Sequence, residues 1–77
     1  MTNPNRVKRD VLADGRVVST VRLPLDHSFG NGPPLWYETM VFPSEENFMD
    51  SECHRYTTKD QAEAGHSKVV ERLSKEN

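Results

Sequence analysis

Cysteine is all but missing from this chain. With Cys53 alone among 77 residues, no internal disulfide can form, which excludes the usual stabiliser of small secreted domains and makes a reducing cytoplasm the expected setting. Long apolar runs are missing too. Nothing approaches the roughly 20 residues of a membrane span, and the opening Met1 to Asn5 has neither the basic nor the apolar region of a signal peptide, so no membrane partner is expected. Charge of one sign is also lacking: 10 Lys and Arg face 12 Asp and Glu, for a net charge of -2. That balance disfavours the basic footprint of a general nucleic-acid binder. Glycine is sparse and its arrangement around Gly30 and Gly32 matches neither a phosphate-binding loop nor a dinucleotide fingerprint, so no cofactor is expected.

What remains is one small domain, spanning 1–77. A chain of this length buries only roughly 60% of the surface its unfolded form exposes, so association with a partner would help it. The densest apolar segment is Leu35 to Phe42, bounded by Pro33-Pro34 and Pro43. Read as a strand, it sends Leu35, Tyr37, Thr39 and Val41 to one face and Trp36, Glu38, Met40 and Phe42 to the other. Both faces are largely apolar, and the chain holds only one evident helix to cover them.

Upstream, residues 1–6 read as a mobile tail, and the basic residues Arg6, Lys8 and Arg9 read as a solvated strand edge. Asp14-Gly15, between two β-prone runs, predicts a two-residue type I′ hairpin. That turn places Leu12 opposite Val17, with Ser19, Val21 and Leu23 continuing the same face. Pro24 then ends the second strand, because it cannot donate to a ladder.

The connection from Asp26 to Pro34 is a loop. Asp26, His27 and Ser28 name the members of a hydrolytic relay, but such groups are brought together from separate elements and adjacent residues point apart, so no catalytic residues are assigned and no enzyme is expected. After the central strand, Ser44 to Glu52 is an acidic connection holding Phe48 and Met49. Its carboxylates could imitate nucleic-acid phosphate towards a basic partner, though an acidic loop is most often simply a solvated one. A short strand from Cys53 to Tyr56 follows, with His54 and Tyr56 on one face.

The C-terminal segment, 58–74, is the clearest helix. Thr58 with Gln61 three residues on forms a capping box. Ala62, His66, Val69 and Leu73 make one stripe towards the sheet, and Gly65 permits close approach. His66 in that stripe reads as a packed imidazole bonded to the sheet or to a loop residue such as Asp26. A metal site built from His66, His27, His54 and Cys53 is the sharper alternative, but no pair has ligand spacing, so no metal is assigned.

Several segments together carry a resemblance: Val18 to Val21, Leu25-Asp26-His27, Gly32-Pro33-Pro34-Leu35, Glu38 to Phe42, Arg55-Tyr56 and Ala64-Gly65-His66. In these the chain resembles a family of uncharacterised small proteins encoded by tailed bacteriophages and prophages, over about Val17 to Leu73. At Arg22 and Pro24 it departs from that family, which carries a bulky aromatic and a glycine there. The resemblance implies a phage origin and no particular activity. It also pairs the Leu-Asp-His and Ala-Gly-His segments, implying a polar cluster of Asp26, His27 and His66.

The expected fold is α+β: an antiparallel meander of three or four strands with the helix on one face. The core draws on Leu12, Val17, Val21, Leu23, Tyr37, Val41, Ala62, Val69 and Leu73 if the helix covers the Tyr37 side. Trp36, Glu38, Met40 and Phe42, with Phe48, then form an interface on the other side; the opposite assignment leaves Tyr37 and two aliphatic residues uncovered. The expected role is that of a small phage accessory protein in the host cytoplasm, binding a second copy of itself or a host protein and inhibiting a host or defence factor. A structural component of the virion is the alternative.

Overall fold

The Asp14-Gly15 turn sets the register between the first two strands, and it differs from the expected type. In the computed structural model, which describes residues 5–24, 32–47 and 49–76, only Gly15 has positive φ, at 94°. A type I′ turn would need a positive φ at Asp14 as well. Instead the Gly15 amide donates to the Leu12 carbonyl at 2.9 Å and the Leu12 amide to the Arg16 carbonyl at 2.8 Å. This is the three-residue loop in which a turn is completed by a left-handed glycine. One more loop residue moves the pairing by one position: Val11, not Leu12, lies opposite Val17.

Four strands follow in meander order: β1 (Arg6–Val11), β2 (Val17–Arg22), β3 (Tyr37–Phe42) and β4 (Glu52–Tyr56). All neighbouring pairs are antiparallel. The helix α1 (Lys59–Lys75) completes an α+β fold. It starts as the capping box anticipates, with the Thr58 hydroxyl accepting from the Gln61 amide at 3.1 Å and the Gln61 side chain accepting from the Thr58 amide at 3.2 Å. At its other end, Arg16 donates to the Leu73 carbonyl at 3.2 Å and pairs with Glu76, anchoring the last turn to the first hairpin.

Cross-strand rows then assign the faces. Asp10, Val18, Val41 and Glu52 form one row, and Lys8, Thr20, Thr39 and His54 the next. These look towards α1. The apolar core is Leu12, Val18, Val41, Val69 and Leu73, each such buried side chain contributing about 1.5–3 kcal/mol by leaving water. Of the expected core, Leu12, Val17, Val41, Ala62, Val69 and Leu73 are buried, whereas Val21, Leu23 and Tyr37 are half-buried. The shifted hairpin explains the exchange: Val18 and Thr20 face the helix, and Val17 and Val21 go to the far side.

Candidate functional site

The helix stripe carries His66 into the centre of the sheet, where it is fully buried together with Thr20 and Thr39. Its Nδ1 lies 2.6 Å from the Thr20 hydroxyl, its Nε2 2.7 Å from the Asp10 carboxylate, and the two threonine hydroxyls are 2.5 Å apart. One proton arrangement satisfies every group: Nε2–H donates to Asp10, the Thr20 hydroxyl donates to Nδ1, and the Thr39 hydroxyl donates to Thr20. Among the described residues no buried side-chain nitrogen or oxygen lacks a partner.

Carboxylate, imidazole and hydroxyl thus stand in the order of a hydrolytic relay, drawn from three separate elements. The hydroxyl end, however, is sealed. Thr20 is fully buried and already shared with Thr39, so the chain of hydrogen bonds joins helix to sheet and reaches solvent only at the Asp10 carboxylate, not at a hydroxyl that could act on a substrate. Asp26 and His27, placed with His66 on sequence grounds, lie outside the described residues; among the described ones, the partners of His66 are Asp10 and Thr20. The signal for Asp10 was its position two residues from Leu12, on the same face of β1, once the true register is known.

The far face of the sheet is built differently. Its rows are Val11, Val17 and Phe42, then Arg9, Ser19, Met40 and Cys53, then Arg6, Val21, Glu38 and Arg55. At one end, the turn bridging Ser44 and Asn47 brings Glu45 to within 3.3 Å of Arg9, and Val17 is buried beneath. At the other, Glu38 is only 8% exposed and accepts from Arg55 Nε at 2.9 Å. Trp36, Met40 and Phe42 are half-buried around these pairs; Phe48 lies outside the described residues. Cys53 is exposed, and burial of its sulfur, followed by the nearby Glu38 carboxylate, pushes its pKa up, which disfavours the reactive thiolate. His54 and Cys53 sit on opposite faces of β4, and among the described residues no group of three His, Cys, Asp or Glu could hold a metal ion.

A third feature escaped sequence reasoning. Between β4 and α1 runs an open groove of about 550 Å³, with His54 and Tyr56 on the strand side and Gln61, Ala64, Gly65, Lys68, Val69 and Arg72 on the helix side. Gly65 is the reason the two sides meet so closely: a Cβ there would fall under 3.0 Å from the Tyr56 phenol. At the rim, Glu52 accepts from His54 at 2.6 Å and also pairs with Arg72. Its pKa is held below the ordinary carboxylate value, chiefly by the His54 hydrogen bond and then by the Arg72 charge. Lys68 makes no ion pair among the described residues. Its stripe, Gln61, Ala64 or Gly65, Lys68 and Arg72, repeats at helical spacing beside the buried one and could have been read from the sequence.

Comparison of the chain with protein-family models, with curated proteins and with solved structures found no match in any of the three. Among the described residues no helix is long and apolar enough to cross a membrane.

Proposed function

We propose that the chain is a small phage-encoded accessory protein that works in the host cytoplasm by binding protein, and that it pairs with a second copy of itself through the sheet face opposite α1. The observation that carries this reading is the set Trp36, Met40 and Phe42, half-buried on a face that no helix or strand of the described residues covers. The charges on that face favour a second copy as the occupant. Arg9 with Glu45 at one end and Glu38 with Arg55 at the other present both signs, so a two-fold rotation can set unlike charges together, as an isologous interface requires. Small size supports the same conclusion, since a domain this short gains stability from a further buried face. The phage resemblance supports a host or defence factor as the eventual target of the dimer.

Light scattering on sized fractions, over a concentration series, tests the pairing. The expected result is a dimer that Met40→Asp converts to a monomer with an unchanged circular dichroism spectrum. A wild-type chain that stays monomeric up to about 1 mM, where even a contact of roughly -4 kcal/mol would be half-formed, overturns it.

A further inference from the structure

The two edges of the sheet are not alike. Both carry charged side chains, Arg6, Lys8 and Arg9 on β1 and Glu52 and Arg55 on β4, but the β1 ladder also breaks register between Arg6 and Lys8, which is how sheets discourage further pairing. β4 pairs with β3 without any shift in register, and as the last strand in the order it has a strand neighbour on only one side among the described residues. Beside that unbroken edge lies the groove. Its apolar lining is the Tyr56 ring, Ala64 and Val69 and its charged lining is Lys68, Arg72 and His54, the last two held by the Glu52 carboxylate at the rim.

We infer that this groove takes an extended acidic peptide segment of another protein, which adds to β4 as a fifth strand. Strand addition at a free edge draws affinity from main-chain hydrogen bonds and specificity from alternate side chains. Along an added strand, every second side chain, spaced about 7 Å, points to the same face. One apolar side chain then rests against Ala64 and Val69, and an adjacent same-face carboxylate meets Lys68. Arg72 is already held by Glu52 and Glu76, so Lys68 is the cation with a free valence for the incoming charge. Five residues of β4 extend about 17 Å, room for roughly five residues of peptide. The site is on the helix side of the sheet and does not depend on pairing through the far face.

The test is a nitrogen-15 amide spectrum titrated with three pools of hexapeptides, random except for one central residue fixed as Glu, Ala or Lys. Shifts should fall on the amides of β4 and on the groove side of α1, with slowed amide exchange along β4. The Glu pool should bind about fivefold more tightly than the Ala pool, the order expected of one exposed ion pair. Lys68→Glu, at an exposed helix position, should remove that preference without moving the melting temperature. Absence of β4 shifts with every pool, or equal binding of the Glu and Lys pools, overturns the inference. Identical shifts with a thymidine oligonucleotide also overturn it, since they would mean simple polyanion attraction. Met40→Asp should leave the peptide response intact, so failure of this site and failure of the pairing face are read separately.

Discussion

The two faces of the sheet bury polar side chains from adjacent residues of one strand, and do so by opposite means. Thr39 points into the helix side and ends a chain of hydrogen bonds through Thr20 and His66 to Asp10. Glu38, its neighbour, points to the far side and is answered by a single guanidinium whose side chain is 40% exposed. On the first face the Asp10 carboxylate reaches water, but Thr20 and Thr39 are themselves fully buried, so losing His66 strands their hydroxyls. On the second, the partner reaches water and can be resolvated alone. Depth of the partner, more than depth of the residue, should therefore decide what each polar group is worth.

The sharpest way to break this contrast is an apolar replacement at the centre of each face. His66→Leu leaves the Thr20 hydroxyl without its acceptor in a sealed environment, and should cost about 3 kcal/mol, a large part of the stability of a domain this size. Adding Thr20→Val and Thr39→Val together should recover more than about 1 kcal/mol of that loss, because no stranded hydroxyl then remains in the sealed interior. Chemical denaturation of the single variant and of the triple variant measures both figures. A cost for His66→Leu below about 1 kcal/mol would mean that the buried chain does not hold helix to sheet.

A smaller effect is expected across the sheet. Glu38→Leu removes a nearly buried carboxylate and frees a guanidinium that already reaches solvent, and ion pairs replaced by apolar groups are often neutral to stability. The same denaturation series should place it within about 1 kcal/mol of wild type in either direction. A loss comparable to that of His66→Leu would erase the distinction between the faces.

The sequence made one side of this comparison easier to read than the other. Alternation from Leu35 to Phe42 assigned Thr39 and Glu38 to opposite faces correctly, because period-two patterning is a local property of a strand. Capping by Thr58 and Gln61, the stripe through His66 and the close approach at Gly65 were equally local. The partners of His66 were not. Asp10 and Thr20 reach it only through the hairpin register, and that register turns on whether Asp14 joins Gly15 in the left-handed conformation or Gly15 adopts it alone, a choice that Asp-Gly leaves open. A one-residue difference there moved every side chain of β2 to the other face. The groove was hidden for a related reason: it needs Tyr56 and Lys68 together, and only the packing of α1 against β4 brings them to one groove.

The weakest contact to probe lies at the rim, where Glu52 ties β4 to α1 through Arg72 much as Asp10 ties β1 to it through His66. Here the groups are wet, so the tie should be worth a few tenths of a kcal/mol after solvent screening. Its sign follows from protonation. The folded protein holds the Glu52 pKa below its ordinary value of 4.5, so the unfolded chain binds the extra proton first and the contribution, complete above that value, fades as pH falls through the lower folded one. Comparing wild type with Glu52→Gln isolates it. The two melting curves should differ by about 1–3 °C near neutrality and converge at the acid end of that window. Curves that stay parallel throughout would show that Glu52 acts through packing and not through its charge, and the rim would then resemble the buried face after all.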